Sequence, residues 1–390
     1  METIEIIKKQ LGELGINQTK LAEMSGLSFG TINRILNGKQ ELKPNTLAVI
    51  AEALNLPLQQ LIDSPSKDVI EPDVQGYIEY DDEIHKIKSF AALQKLYQRI
   101  EYETMLLPKE VREIKALNKK NKAEIRKSHP NKDFIFDLEW DCIDEYDATK
   151  YDIWAFKASF DEKDGMVLDF GNQCSGYPFT MHGHTFYTSE SAYLCGQFSN
   201  NTDECKHIQN QLLHEHNGYI AKKRVKNANR ELIRADWQEI RAEWMLYVIW
   251  HKCINNKDFA DKLKSIPRDA IIIENSTTVR ESTSENWGSK NTALEDARCK
   301  VARYADLQYM RLVRQGKKKY NQTEVEKAIV AARNEIHHIG IYSGGQNIMG
   351  KVLKRCQLAL LNGTKPEINY DLLRSKQIYL LGELLTFEGD

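Results

Sequence analysis

Cysteine pairs, long apolar runs and a signal segment are all missing from this chain of 390 residues. Its seven cysteines are scattered and no two form a CxxC pair, which argues against a disulfide framework or a zinc ribbon. No apolar run approaches the length of a membrane span, and the first residues lack the apolar core of a secretory signal. We therefore expect a cytoplasmic protein with reduced thiols and no membrane partner.

A charge excess of one sign is also missing, because the formal net charge is only -2. The chain is therefore not a polybasic coat for nucleic acid, and any DNA binding must come from a local patch. It contains neither GxxxxGK[ST] nor a GxGxxG turn, so nucleotide binding by a P-loop or a Rossmann motif is not expected. Two histidine pairs, His182/His184 and His214/His216, have a spacing that separates their side chains on a helix. We expect no metal site and no resident cofactor.

Residues 1–63 have the pattern of a bundle of short helices. A helix over Gln18–Gly26 is followed by a turn at Leu27 and Ser28 and by a second helix over Phe29–Leu36, which is the arrangement of a helix-turn-helix. The stretch QTKLAEMSGLSFGTINRILNGK, followed by PNTLAVIAEALNL, resembles the phage-repressor-like (Cro/C1, XRE-type) DNA-binding domains. Further helices are expected over Thr46–Leu54 and Leu58–Ile62.

The resemblance implies that the second helix of the motif enters the major groove, where Arg reads guanine and Asn reads adenine. The side chains expected at DNA bases or phosphates are those of Gln18, Ser28, Phe29, Thr31, Asn33, Arg34 and Lys39. Helix-turn-helix proteins read two half-sites as dimers, so a homodimer is expected. The segment carries six Lys/Arg and seven Asp/Glu, which lowers the expected affinity for nonspecific DNA. The alternative is a helix-turn-helix used only for dimerisation.

Residues 64–150 are interpreted as a linker and a small α/β connector. Two short strands are predicted over Gly76–Tyr80 and Glu83–Ile87, and an amphipathic helix over Phe90–Ile100. The stretch Lys109–Lys132 holds nine Lys/Arg against three Glu. We interpret it as a solvated helical connector, and contact with the DNA backbone is the alternative.

Residues 151–390 are predicted to form one C-terminal domain. Buried strands are expected at Trp154–Phe160, Met166–Phe170 and Ile271–Ile273, and helices at Cys205–Gly218, Trp237–Asn255, Ala293–Gly316, Glu324–His338 and Asn347–Leu361. Together with the N-terminal bundle, these elements predict a mainly helical α+β protein.

The stretch GHTFYTSESAYLCGQF, residues 183–198, is where we expect the active site. It predicts a short strand, an N-cap at Ser189 and the start of a helix, with Glu190 in the first turn. Free N–H groups and the helix dipole stabilise a carboxylate there, so Glu190 is a candidate general base or a stabiliser of a cation. The alternative is a glutamate that only caps its helix.

Several further segments, in order, resemble the NADAR family, whose name refers to NAD and ADP-ribose. The resemblance spans about residues 152–361 and is carried by Phe170–Phe179, Tyr187–Glu190, Ala221–Lys223, Asp236–Arg241, Glu274, Glu285–Gly288 and Gly345–Gly350. It implies a compact, mainly helical α+β domain with N-glycosidase chemistry on ribosylated bases or NAD-derived substrates. Some members of the family remove ADP-ribose from guanine in DNA and act as antitoxins to DNA ADP-ribosyltransferases.

The resemblance also implies roles for particular residues. Glu190 stands at the position of the family's catalytic carboxylate, and Glu285 can supply a second one. The residues implied in substrate binding are Asn172, Trp287, Gly288, Asn347 and Gly350. This chain departs from the pattern at Gln197, where the family carries Lys or Arg, and a helical insertion follows Trp287.

We therefore expect a DNA-binding protein whose N-glycosidase domain removes ADP-ribose from a modified guanine. Its expected partners are operator DNA, ADP-ribosylated DNA, an ADP-ribose-like ligand and a cognate ADP-ribosyltransferase toxin. The main alternative is a noncatalytic sensor that binds such a ligand and switches repression, which Gln197 favours. A metabolic hydrolase is a third reading, and the helix-turn-helix argues against it.

Overall fold

The computed structural model describes residues 3–40, 44–56, 76–81, 83–128, 138–143, 145–157, 161–277 and 287–387. The chain forms two compact units, Met1–Arg99 and Ile100–Asp390. The described residues are mainly helical with short, scattered strands, so the predicted α+β class is confirmed. None of the helices described is both long enough and apolar enough to cross a membrane.

The first unit begins with the helical bundle. Its elements are α1 Thr3–Leu14, α2 Gln18–Ser25, α3 Phe29–Leu36, α4 Pro44–Ala53, β1 Gly76–Tyr80, β2 Glu83–Ile87 and α5 Phe90–Glu101. Gly26 ends α2 in the left-handed region, with φ 67°, which glycine adopts without a steric penalty. The apolar stripes of the four bundle helices close one core around Leu21, Ile32 and Ile50. The predicted helix over Leu58–Ile62 lies outside the described residues.

The second unit contains the remaining elements. They are a π-helical turn Tyr102–Leu106, α6 Leu107–Ser128, β3 Tyr146–Asp147, β4 Ile153–Phe156, β5 Asp161–Lys163, β6 Met166–Leu168, β7 Phe179–Met181, β8 His184–Phe186, α7 Ser189–Gln197, α8 Asp203–Leu213, α9 Gly218–Ile220, a second π-helical turn Ala221–Lys226, a 3-10 turn Arg230–Leu232, α10 Trp237–Asn255, α11 Lys257–Ser265, β9 Ile271–Glu274, α12 Thr292–Arg314, α13 Gln322–Asn334, β10 Ile341–Tyr342, α14 Ile348–Asn362, α15 Tyr370–Ser375, β11 Tyr379–Leu380 and β12 Glu383–Leu384.

The larger core of this unit surrounds α10. That helix is buried on all sides from Ala242 to Trp250, where its sequence is apolar apart from Glu243, and it packs against α7, α11 and α14. A second core lies around a parallel pair of strands, β4 and β9, in which Ile153 lies opposite Ile271 and Phe156 opposite Glu274. The other strand pairs described are antiparallel: β1–β2, β3–β10, β5–β6, β7–β8 and β11–β12.

Most predicted elements occur, but several boundaries were wrong. The helix expected over Cys205–Gly218 ends at Leu213, and α13 ends at Asn334 rather than His338. Asn118 of α6 explains the second difference, because its Oδ1 accepts the backbone N–H groups of His337 and His338 at 3.0 and 2.9 Å. Because these two N–H groups bind Asn118, they do not form the backbone hydrogen bonds that would continue α13. The strand predicted over Trp154–Phe160 ends at Phe156, and residues 158–160 lie outside the description.

Candidate functional site

Glu190 lies in the first turn of α7, as predicted, but the helix is capped one residue earlier than expected. The Oγ of Thr188 accepts the N–H of Ser191 at 3.1 Å, so Thr188 rather than Ser189 is the N-cap. Ser189 is the first helical residue, and its Oγ accepts a hydrogen bond from the buried ammonium of Lys252 at 3.1 Å. The start of α7 is thus held by the Thr188 cap and by the hydrogen bond from Lys252.

The burial of α7 is unusually complete, since every residue from Ser189 to Gln197 is buried. Gly196 makes this possible: a Cβ at that position would lie 2.3 Å from the Nε1 atom of Trp244 on α10. The Glu190 side chain is therefore only 6% exposed, and desolvation raises the pKa of its carboxyl. The cations of Lys222 and Lys226 oppose that shift.

Asn172 and Gly218 flank Glu190. The backbone carbonyl of Asn172 accepts the N–H of Glu190 at 2.9 Å, and its own Oδ1 is buried with no hydrogen-bond partner in the described part of the chain. A Cβ added to Gly218 would lie 2.6 Å from the Cα of Gln173 and 3.1 Å from the Cβ of Glu190. The backbone thus approaches Glu190 closely on the Gly218 side, while Asn172 offers an unused acceptor beside it.

A second carboxyl group, that of Glu274, lies at the end of β9. Its backbone N–H is bound by the Oδ1 of Asn347 at 3.0 Å, and its carbonyl accepts the N–H of Ser289 at 2.9 Å. Gly288 is pressed against the same carbonyl, because a Cβ there would lie 2.4 Å from it. The end of this strand is consequently held by the side chain of Asn347 and by the backbone N–H of Ser289.

The two carboxyl groups interact electrostatically with each other and share one cation. Burial and the charge of Glu190 together raise the pKa of Glu274 to about 7, against the opposing effect of the Lys222 cation. Lys222 is exposed in the π-helical turn that follows α9, whereas Glu190 is buried. Glu190 is buried and Glu274 is half-buried, and such a pair of carboxyl groups with raised pKa values and a nearby cation is an arrangement that acid–base catalysis uses.

Aromatic side chains line the other side of α7. The rings of Tyr193 and Trp287 meet edge to face at 5.3 Å between centroids, and the guanidinium of Arg241 lies 5.5 Å from the centre of the Trp287 ring. Gln197 is buried beside the Tyr193 hydroxyl, with its Oε1 unpartnered among the described residues. Trp287 is only partly buried, so its ring retains surface for a ligand.

Sequence reasoning and structure agree only in part on the composition of this site. Asn347 is fully buried, and its amide is bound to the backbone of β9: Nδ2 donates to the carbonyl of Ile272 at 2.9 Å. A Cβ at Gly350 would lie 2.2 Å from that carbonyl. Asn347, Gly350 and Gly288 therefore position β9, and their predicted contact with a substrate stays a prediction. Glu285 lies outside the described residues.

Glu274, Lys222 and Arg241 belong to the site but were not among the predicted site residues. A signal for Glu274 was present, because a carboxylate directly after the buried run Ile271–Ile273 stands at the carboxyl end of a parallel strand, where ligands bind in α/β proteins. Lys222 and Arg241 stand in the segments Ala221–Lys223 and Asp236–Arg241 that carry the resemblance, but no particular role was predicted for either.

The histidines have other contacts. Nε2 of His182 lies 2.7 Å from the Tyr247 hydroxyl, Nδ1 of His214 lies 2.8 Å from the carbonyl of Asn210, and the ring of His216 stacks on Tyr187 at 3.5 Å. The described residues contain no group of three or more His, Cys, Asp or Glu arranged to hold a metal ion.

The second helix of the helix-turn-helix, which is predicted to enter the major groove, is α3. Ser28 caps it, since its Oγ accepts the N–H of Thr31 at 3.1 Å and lies 2.9 Å from the Thr31 hydroxyl. The Oδ1 of Asn33 accepts a hydrogen bond from Asn37 at 2.6 Å. Arg34 is exposed in the last turn of α3, where its guanidinium is free to meet an external partner.

Three further residues were predicted at DNA. Phe29 is exposed at the first position of α3, Gln18 is partly buried at the start of α2, and Lys39 is exposed after α3. Exposed side chains on α3 and beside it form the surface that a helix-turn-helix presents to DNA.

Comparison with known protein families identifies the motif in the N-terminal unit. The helix-turn-helix family matches residues 7–61. The fold and this match define a DNA-binding domain of the Cro/C1 type. The chain is thus a DNA-binding regulator whose second unit carries the carboxyl pair described above. No curated protein matches the chain.

Proposed function

We propose that the second unit is an N-glycosidase that removes ADP-ribose from a modified guanine in DNA. The observation that carries this proposal is the pair Glu190 and Glu274, two desolvated carboxyl groups that interact with each other and with Lys222. Cleavage of an N-glycosidic bond needs an acid for the leaving base and a carboxylate beside the cationic sugar. The resemblance to the NADAR family supplies the choice of ADP-ribose and guanine.

The two carboxyl groups are suited to different roles. Glu274, with a pKa of about 7, holds a proton over part of the neutral range and can donate it to the nitrogen of the leaving base. Burial raises the pKa of Glu190 as well, and the cations of Lys222 and Lys226 oppose that rise by favouring the charged form. As a carboxylate, Glu190 stabilises the oxocarbenium-like sugar and accepts the proton of the attacking water.

Neighbouring groups provide binding contacts for such a substrate. The unpartnered Oδ1 of Asn172 can accept a hydrogen bond from a sugar hydroxyl beside Glu190. The exposed surface of Trp287 can stack on a base, and Arg241 offers a cation for phosphate. Contacts of this kind would hold a substrate with its scissile bond near the carboxyl pair.

The helix-turn-helix supplies the biological context of the proposal. It brings the chain to DNA, either at the operator of its own operon or near damaged sites. This location is consistent with an antitoxin or a defence-linked regulator. The source of the modification would then be a cognate DNA ADP-ribosyltransferase.

Gln197 supports a second candidate, a noncatalytic sensor of an ADP-ribose-like ligand. It is buried beside Tyr193 where the resembling family carries a cation, and its Oε1 has no partner among the described residues. A site that lacks this cation binds a ligand without completing the reaction. Ligand binding would then act on the affinity for the operator, and the two effects would be reciprocal.

Incubation of the full chain with ADP-ribosylated guanine DNA separates the two candidates. We expect the wild type to release free ADP-ribose and Glu190→Gln to lose ~10²-fold or more of the rate, the scale of a preorganised electrostatic group. Glu204→Gln changes an exposed first-turn glutamate of α8 and serves as the matched control. Full activity of Glu190→Gln contradicts the catalytic role, whereas an inactive wild type that still binds ADP-ribose supports the sensor.

A further inference from the structure

The outer face of α6 carries a stripe of cations that the function proposed above does not use. Over its 22 residues the helix holds eight Lys/Arg and three Glu. Six of the cations are exposed on one face of the helix, and Ala116 and Ala123 lie between them on the same face. We call this face the basic stripe; its cations are Lys109, Arg112, Lys119, Lys120, Arg126 and Lys127.

The opposite face of α6 is fixed to the second unit. Leu107, Val111 and Ile125 are buried in its core, and the amide of Asn118 binds the backbone of residues 335–338. Asn121 adds a hydrogen bond from Nδ2 to the carbonyl of His338 at 2.8 Å. The helix is therefore held on a rigid base and presents the basic stripe outward in one orientation.

Few acidic groups neutralise the basic stripe. Lys115 and Lys122 at its margin are paired with Glu335 and Asp164 at 2.7 Å. Within the stripe, Lys120 lies 3.9 Å from Glu124, and Arg126 interacts with Asp164. Glu113 is exposed near the stripe as a further negative charge. The remaining cations of the stripe, Lys109, Arg112, Lys119 and Lys127, have no ion pair within 4 Å in the described part of the chain.

We propose that the basic stripe is a second DNA-binding surface, which contacts the phosphate backbone of duplex DNA. From Lys109 to Lys127 it is about 27 Å long at the rise of an α-helix, which equals about eight base pairs. The small side chains of Ala116 and Ala123 let the helix approach the backbone closely. The contacts are charge-based and carry no sequence preference.

The composition of the N-terminal unit supports DNA as the partner. Residues 1–63 contain six Lys/Arg and seven Asp/Glu, so the helix-turn-helix by itself supplies no net positive charge. Nonspecific DNA affinity arises almost entirely from cations that release counterions. The basic stripe supplies these cations within the same chain, and it keeps the second unit on DNA when the recognition helix has no operator.

The test compares the salt dependence of binding to a mixed-sequence duplex for three full-length proteins. The stripe variant is Lys109→Gln, Lys119→Gln and Lys127→Gln combined. The control is Lys317→Gln, Lys319→Gln and Lys327→Gln combined, which removes the same charge from exposed positions in the hairpin of α12 and α13. All six lysines are exposed, so both variants should melt at the temperature of the wild type.

We expect the slope of log K against log salt to fall in magnitude by up to about 2.7 in the stripe variant, at about 0.9 for each lost phosphate contact, and to stay unchanged in the control. Equal slopes in the wild type and the stripe variant overturn the proposal. So does a stripe variant that keeps its duplex affinity but loses binding to vesicles of anionic lipid, since the stripe would then serve a membrane surface.

Discussion

The side chain of Asn347 holds the backbone of Glu274, with Oδ1 accepting its N–H at 3.0 Å while Nδ2 donates to Ile272 two residues earlier. Asn347 adopts a left-handed conformation, with φ 48°, at the start of α14. This conformation turns its amide toward β9 instead of capping its own helix. The turn expected to contact substrate thus fixes the strand that carries the second carboxyl group.

The raised pKa of Glu274 makes a prediction about stability. The native carboxyl keeps its proton up to a pH of about 7, and the ordinary value is 4.5, so native stability falls as the pH rises through this window. Glu274→Gln removes that loss and should be more stable than the wild type above a pH of about 7. The gain in the free energy of unfolding is at most about 3.5 kcal/mol, since the two pKa values differ by about 2.5 and one pKa unit is worth ~1.4 kcal/mol.

Thermal melts across this pH range measure the effect. The difference between Glu274→Gln and the wild type should shrink toward zero at acidic pH, where the carboxyl is protonated in both states. Glu204→Gln at an exposed position should show no such trend. A constant difference at every pH would mean that Glu274 is not desolvated. The same variant should also lose glycosidase activity if Glu274 is the acid.

Close backbone packing at Gly218 leads to a second prediction. Gly218→Ala places a methyl group 2.6 Å from the Cα of Gln173 and 3.1 Å from the Cβ of Glu190. We expect a cost of about 1–3 kcal/mol in stability from overpacking, and a displaced Glu190. Release of ADP-ribose should fall even where the variant is fully folded. Gly12→Ala is the control, because nothing lies within 4 Å of its added Cβ; activity that survives Gly218→Ala would contradict the placement of Glu190.

Trp287 should determine ligand binding by the second unit. Binding of ADP-ribose to the native state raises the melting temperature by mass action. Trp287→Ala should abolish that shift, because the partly buried ring next to Tyr193 offers the surface for stacking. Trp140→Ala removes another partly buried tryptophan, which stacks with Arg355 at 4.1 Å, and should keep the shift. An undiminished shift in Trp287→Ala would locate the ligand elsewhere.

Arg34 should contribute to operator recognition. It is exposed on α3, and the loss of one bidentate base contact costs about 1–3 kcal/mol in binding free energy. Arg34→Ala should therefore weaken binding to the operator by that amount in a gel-shift titration. Lys9→Ala removes the same charge from α1, where Lys9 is paired with Glu13 at 3.7 Å, and should change affinity little. Equal affinity of Arg34→Ala and the wild type would exclude Arg34 from base recognition.

The sequence by itself determined the local elements of this protein. The apolar periodicity and the glycine stop at Gly26 predict the helix-turn-helix. The apolar residues of Trp237–Asn255, continuous from Trp244 to Trp250, predict a helix whose bounds agree with the structure to the residue. Such signals are local, because they depend on spacing and on the backbone preferences of neighbouring residues. The position of Glu190 in the first turn of a helix could be predicted for the same reason, because it depends only on the neighbouring residues.

Only the tertiary structure decided which residues share the site. Glu190 and Glu274 are far apart in sequence, and the pKa of each depends on burial and on Lys222, which no local pattern encodes. The role of Asn347 depends on a strand that packs beside it. The stripe on α6 was visible as a charge run, but its rigid outward face depends on Asn118 and on the core that holds the helix. Contacts between distant segments set burial and charge, and these two quantities define the chemistry of a site.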